Sequence, residues 1–198
     1  MDILVTNVTS TSEITITDPY IVILGSILVP IISVIVVSLI GVATIRYTKK
    51  QHERNAMMDL FKMLSNTNHK QAEDQIIEGH QNNNLMKDGI LAHPFQEYAK
   101  TVWRNYTQAG VLVEKGLIPK IDYYLMFGIK TVVMHYILNQ ELTRRRQTTP
   151  QHYIAARFTN LAIDCFEYWS KHGHAIVDPR TGESITLENL GERIDLPS

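Results

Sequence analysis

The run from Tyr20 to Ile45, YIVILGSILVPIISVIVVSLIGVATI, holds no charged side chain, and its only polar members are Tyr20, Ser26, Ser33, Ser38 and Thr44. A bilayer's hydrocarbon core is about 30 Å thick and is crossed by roughly 20 apolar residues in a helix. The run is long enough to cross with some tilt, so it reads as a transmembrane helix. A cleaved signal peptide would need a basic start and a shorter apolar stretch near the N-terminus. Here the chain starts Met1-Asp2 and the apolar run begins only at position 20, so the segment is expected to stay as an anchor.

Asp2, Glu13 and Asp18 precede the span, and Arg46, Lys49, Lys50 and Arg54 follow it. An excess of Lys and Arg marks the cytoplasmic side. The expected placement is single-pass in the cell membrane, with residues 1–19 outside and everything after Ile45 inside. The outer segment is rich in Thr and Ser and carries Asn7-Val8-Thr9, a formal N-glycosylation acceptor. Arg46, Lys49 and Lys50 are candidates for contact with lipid headgroups.

Within the span, Pro30 lacks an N–H and should weaken or kink the helix. Ser26, Pro30, Ser33, Val37 and Gly41 share one face at helical spacing. Small residues let two membrane helices approach closely, so Ser26, Pro30, Ser33 and Gly41 are candidate helix–helix contacts. A lone helix with incidental serines fits as well, because the spacing is no clean G-x-x-x-G. Without a charge in the span, an ion or proton path inside it has no support.

From Arg46 to Gly173 the chain carries 17 Lys and Arg against 12 Asp and Glu, and from His174 onward two against five. A mildly basic body suits a domain beside an anionic leaflet and is too weak an excess to argue for nucleic acid. The single cysteine, Cys165, excludes an internal disulfide and a multi-cysteine zinc site.

That body reads as helices. Met57, Leu60, Phe61 and Leu64 form one apolar face. Asn66 or Thr67 caps a second helix with Ala72 and Ile76 inward and Gly79 at its end. Residues 79–93, GHQNNNLMKDGILAH, read as a flexible loop with little to bury. Pro94 opens a helix whose stripe is Phe95, Ala99, Val102, Tyr106, Ala109 and Val113, stopped at Gly116. The next, from about Lys120 to Arg145, has Leu125, Ile129, Val132, Val133, Tyr136 and Ile137 as its inner face. Thr149-Pro150 reads as a cap and N1 pair for a last helix carrying Ile154, Phe158, Leu161, Cys165 and Trp169. Short connections make the last three antiparallel neighbours. The fold expected is all-α: a transmembrane helix at 20–45, then an antiparallel helical bundle at 46–173. In the tail, 174–198, the turn signal Asp178-Pro179-Arg180-Thr181-Gly182 supports a short β-hairpin, which would have to lean on the bundle or a partner.

Residues 46–173 resemble a family of small prokaryotic proteins with one N-terminal transmembrane helix, catalogued as domain of unknown function 4760. The resemblance is carried by Arg54-Asn55-Ala56, Trp103 with Tyr106, and Gly110-Val111-Leu112-Val113 leading into Gly116-Leu117-Ile118-Pro119. It implies a helical domain and brings no established activity or catalytic residue. The outer segment and the tail lie outside it.

Among eight histidines, His172-x-His174 near Cys165 is the best metal cluster. Cys165 and His172 stand about 10 Å apart along a helix, too far for one zinc unless the tail adds ligands, so no metal is expected. His135 reads as a hydrogen-bonded core histidine and Cys165 as a buried thiol. Glu97, Glu114, Asp122, Glu141, Asp164 and Glu167 are scattered, without the paired carboxylates of acid–base catalysis; Asp164 and Glu167 suit surface pairs with Arg157 and Lys171. No phosphate loop, nucleophile elbow or dinucleotide fingerprint is present. No catalytic residue, cofactor or small-molecule substrate is therefore assigned. Arg144-Arg145-Arg146 favours the negative end of a helix; headgroups or an acidic partner are its other readings. The expectation is a non-catalytic membrane-anchored interaction protein, an accessory or scaffold subunit of a membrane complex or a homo-oligomer. A signalling or sensing protein is the alternative, and a tethered enzyme stands third.

Overall fold

The computed structural model describes residues 19–149 and 155–196, with side chains from residue 26. Asn7, the outer segment, the N1 reading of Pro150 and the inward reading of Ile154 lie outside the described residues. The chain divides into two compact units, Met1–Lys49 and Lys50–Ser198.

In the first unit, helix α1 (Pro19–Ser65, its last sixteen residues belonging to the second unit) contains Pro30 and is long and apolar enough to cross a membrane, with a mean hydropathy of 2.7 over its most apolar stretch. The large side chains of residues 27–45 are exposed. The Ser33 and Thr44 hydroxyls donate to the Val29 and Ile40 carbonyls at 2.8 Å, so these polar groups are satisfied within the helix.

The second unit is a helical bundle: α2 (Thr67–Gln81), β1 (Met86–Lys87), β2 (Ile90–Leu91), α3 (His93–Glu114), α4 (Lys120–Tyr123), a π-helical turn (Tyr124–Gly128), α5 (Ile129–Thr148), α6 (Ala156–Lys171) and α7 (Leu187–Leu190). Its core joins Leu60 and Leu64 of α1 to Ile76, Val102, Tyr106, Val132, Leu138, Phe158, Leu161 and Cys165. The stripe read on α3 is buried from Ala99 to Val113, and the one on α6 holds at Phe158, Leu161 and Cys165. Asn66 caps α2, its Oδ1 accepting from the Asn68 N–H at 2.9 Å.

Three local readings are corrected. Gly79 does not end α2, which runs to Gln81; a Cβ there would meet Phe95 at 2.7 Å, so the glycine admits the ring of α3. Residues 79–93 are built into the fold, with Leu85 and Leu91 buried. Strands β1 and β2 pair antiparallel, Met86 with Leu91 and Lys87 with Ile90, around Asp88 (φ 52°) and Gly89 (φ 74°). Two consecutive positive φ values are what a two-residue hairpin turn demands. The third is the long helix. A π turn carries more residues per turn than an α-helix, so a 3.6-residue count run through Tyr124–Gly128 goes out of step. Tyr123, Tyr124 and Gly128 take the inner positions, while Leu125 and Ile129 are 56% and 46% exposed. The Trp169 indole N–H donates to the Tyr124 carbonyl at 3.1 Å within that turn.

The tail belongs to the second unit. Val177 and Ser184 form a single antiparallel bridge, flanked by the Asp178 N–H to the Glu183 carbonyl and the Ile185 N–H to the Ile176 carbonyl, both 2.8 Å. Ile176, Ile185 and Leu190 are buried, which is how so short a hairpin persists. Beyond α7, Asn160 holds Ile194 by two bonds, Nδ2 to the carbonyl at 2.8 Å and Oδ1 from the N–H at 2.9 Å.

Helices α3 and α6 cross at Gly110, where a Cβ would lie 2.7 Å from the Arg157 carbonyl oxygen. Backbone cannot yield as a side chain can. Gly110→Ala should therefore lower stability by about 1–3 kcal/mol in chemical unfolding, although alanine is the better helix former by about 1 kcal/mol. A neutral or stabilising result would show that the crossing has slack.

Candidate functional site

Polar side chains gather in a cleft of about 370 Å³ at the surface of the second unit, between the end of α2, the β1–β2 hairpin, α5 and the tail. Its walls carry His80, Asn83, Tyr136, Asn139, Gln140, Arg180 and Asn189, over Leu85, Met86 and Ile137. Under one wall lies Asp178, 2% exposed. Its Oδ1 meets His80 Nε2 at 2.7 Å and accepts the Arg180 N–H at 2.9 Å. Its Oδ2 accepts the Tyr136 hydroxyl at 3.3 Å and the Thr181 hydroxyl at 3.2 Å. Burial pushes this carboxyl up, yet the Arg180 N–H, His80 and Thr181 together hold it below the usual carboxylate range. The Tyr136 phenol is pushed up by burial and by Asp178. Asn83, at φ 53°, leads the chain out of α2, and its Oδ1 accepts from Arg180 Nη1 at 2.7 Å.

A second polar cluster is centred on a buried carboxylate and reached from the surface by Lys130. Glu73, 1% exposed, accepts the Tyr106 hydroxyl at 2.5 Å and pairs with Lys130 Nζ at 2.5 Å. His69 Nε2 lies 3.1 Å from Glu73, near enough for charge contact but too oblique for a hydrogen bond, while its Nδ1 meets the Asn105 amide at 3.1 Å. Burial raises the Glu73 carboxyl and the His69, Lys130 and Tyr106 contacts lower it further, so it stays below its ordinary value; Tyr106 is pushed well up by burial and by Glu73. Apart from His69 Nε2, which has no hydrogen-bond partner, these groups pair with one another, and none of them lines the cleft.

The residues singled out in the sequence fall as follows. Pro30, Ser33 and Gly41 are exposed on α1 with Ser26, as are Arg46, Lys49 and Lys50; a Cβ at Gly41 would meet open space. The arginine triplet is engaged within the fold. Arg144 grips Glu141 through Nε and Nη2 at 2.8 Å each, and Arg145 Nε reaches the same carboxylate at 2.6 Å while its guanidinium sits 4.8 Å from the Trp103 ring centroid. Glu141 is thereby buried, not solvated, and held low: burial raises it, but the two arginines outweigh that. Arg146 donates to Thr159 Oγ1 at 2.5 Å. Asp164 and Glu167 pair with Arg193 of the tail, and Arg157 with Glu114, so the pairing read within one helix gives way to pairing across the fold. His172 packs at a tilt against Tyr168 and His174 meets Trp169 edge to face, and no group of three metal-ligating side chains occurs among the described residues. Cys165 is buried, its thiol pushed up by burial and by Asp164.

Asp178 and Arg180 were legible only as part of a turn; that Asp178 meets His80 and Arg180 meets Asn83 carried no signal in the sequence, because 98 and 97 residues separate the partners. His69 and Glu73 did: at i and i+4 they flank Ala72 and Ile76 on one helical face.

A contiguous apolar face completes the surface. Ile121, Leu125, Met126 and Ile129 are 46–58% exposed along α4, the π turn and α5, and Phe61, 48% exposed, lies with its ring 6.5 Å from that of Phe127.

Set against family models, curated proteins and solved structures, the chain matches none of them.

His135 is fully buried, with Nε2 2.9 Å from Thr159 Oγ1 and Nδ1 unpartnered. Burial, then Arg146, pushes it down to about 3 from an ordinary 6.5. Between those values the unfolded chain takes up a proton that the folded chain refuses, so stability falls as pH falls, by up to about 1.4 kcal/mol per unit. Glu73 and Glu141 add to the loss only below about pH 4.5. Unfolding followed between pH 6.5 and 4.5 should show this slope in the native protein and lose it in His135→Gln.

Proposed function

We propose that this chain is a non-catalytic, single-pass membrane-anchored interaction protein, an accessory or scaffold subunit of a membrane protein complex or a homo-oligomer. The observation that carries this reading is the exposed apolar face of Ile121, Leu125, Met126 and Ile129. Apolar groups arranged contiguously beside a well-packed core mark contact surfaces. The long apolar stretch of α1 supports the anchor, and Arg46, Lys49, Lys50 and Arg54 after it support an outward N-terminus with the second unit in the cytoplasm. A tether in one plane raises the effective concentration of two such faces. Association would not need a large interface.

The sensing alternative draws on the polar cleft. The enzyme alternative draws on the His80–Asp178 pair, but the four bonds on Asp178 leave that carboxylate no oxygen lone pair for a substrate.

The particle extracted in mild detergent should have a mass above that of one chain, through further copies or stoichiometric foreign subunits. Ile121→Glu with Leu125→Glu should reduce it to a single chain while unfolding shifts by no more than about 0.5 kcal/mol, as for exposed positions in general. A single-chain particle from the unaltered protein would overturn the reading.

A further inference from the structure

We propose that the cleft between His80, Gln140 and Arg180 binds a small oxyanion, a phosphate or carboxylate group carried on a compact polar body. This goes beyond the docking role and does not rest on it.

The argument begins with what the cleft has left to offer. Asp178 is the nearest carboxylate, and its oxygens are filled by His80, the Arg180 backbone, Tyr136 and Thr181. It therefore orients the wall and presents no free acceptor to a ligand. Arg180, by contrast, is exposed and uses Nη1 on Asn83; a guanidinium has five N–H donors in a planar fork. Asn83 fixes that fork from one side, so less entropy is lost when the remaining donors engage. Such a fork matches the paired oxygens of a carboxylate or phosphate.

The rest of the wall is amide. Asn139 spends its Nδ2 on the Asn189 carbonyl at 2.9 Å, and Asn189 Oδ1 accepts from the N–H and hydroxyl of Thr186 at 2.9 Å. Asn139 is framework, while Asn189 is fixed through its oxygen and keeps its amide N–H₂. Gln140 has no such tie, and its Nε2 stands 3.8 Å from where a Cβ on Gly89 would be, at the tip of the β1–β2 hairpin. Asn83 keeps its amide N–H₂, because the Arg180 contact uses only its oxygen. One cation and three amides, Asn83, Gln140 and Asn189, thus line a volume of about 370 Å³, near the lower end of the roughly 300–1,000 Å³ range of small-molecule sites. Amides recognise hydroxyl or carbonyl groups, so the body of the ligand is polar. Glu183, the other acid that acts on Tyr136, is exposed and is not part of the wall.

The same chemistry is found in a free metabolite and in a lipid headgroup, and the test separates them. The full chain, in phosphatidylcholine nanodiscs, is titrated calorimetrically with inorganic phosphate, glycerol 3-phosphate and citrate. Saturable binding of at least one probe is expected, weakened about tenfold or more in Arg180→Gln and less in Arg180→Lys, which keeps the charge but loses the fork. Gln140→Ala should weaken glycerol 3-phosphate more than inorganic phosphate, because only the former has hydroxyls. Thermal unfolding without probe should be unchanged in Gln140→Ala, which keeps a folding defect from posing as a binding defect. Repeating the titration in phosphatidylglycerol nanodiscs assigns the source: competition identifies the headgroup, unchanged affinity a soluble ligand. No saturable binding of any probe into the high-millimolar range, or equal binding by Arg180→Gln, would overturn the site.

Discussion

The carboxylate of Asp178 is the contact on which the second unit's surface depends. A buried ion is costly unless hydrogen bonds replace its water. Here the replacements come from three separate stretches of chain: His80 at the end of α2, Tyr136 in α5, and the backbone and hydroxyl of the tail's own turn. Meeting the needs of one anion thus fixes the tail against two helices. The bridge between Val177 and Ser184 and the burial of Ile176 and Ile185 follow from that docking. So does the cleft, whose floor and walls are the surfaces that Asp178 holds apart and oriented.

Elsewhere the bundle depends on glycines that let bulky groups in. Gly79 admits Phe95, Gly110 admits the backbone of α6, and Gly128 admits the Trp169 indole at 2.9 Å from where a Cβ would be. Each stands inside a helix, where glycine costs about 1 kcal/mol against alanine. The close approach it permits offsets that cost. The π turn belongs with them: it widens the helix where the indole reaches the Tyr124 carbonyl, and it turns Leu125 and Ile129 outward. The apolar face proposed for docking is therefore a by-product of how the core solves its packing around Trp169.

The all-α class, the long apolar helix, and the stripes of α3 and α6 were legible because each rests on one period kept over several turns. What was not legible has two physical causes. Local chemistry was present but outweighed by composition at Asp88-Gly89, a hairpin turn read as part of a polar loop, with Leu85 and Leu91 taken as too few to bury. The long helix failed for a different reason, since nothing in YLMFG announces a π turn and one extra residue misplaces every apolar position before it. The polar sites were the hardest. Arg144 and Arg145 read as a helix-end charge run because Glu141 was one scattered acid among six, and nothing in one dimension pairs His80 with the Asp178 of the tail's turn.

The two buried histidine environments show why the surface cleft, and not the interior, is the place for a ligand. His135 is held neutral by burial, and the charge of Arg146 adds to the penalty on a proton. His69 faces Glu73, but Lys130 and Tyr106 already pair with that carboxylate, and His69, Glu73 and Tyr106 are buried. Each leaves one ring nitrogen unpartnered, His135 Nδ1 and His69 Nε2, but neither histidine lines the surface cleft. The cleft differs in kind: its acid is fully occupied, yet its cation and three of its amides keep donors that the fold does not use. Unused donors at a wet surface cost little, because water serves them. They favour an anion only where the fold has already removed the competing carboxylate, and the four bonds on Asp178 accomplish that.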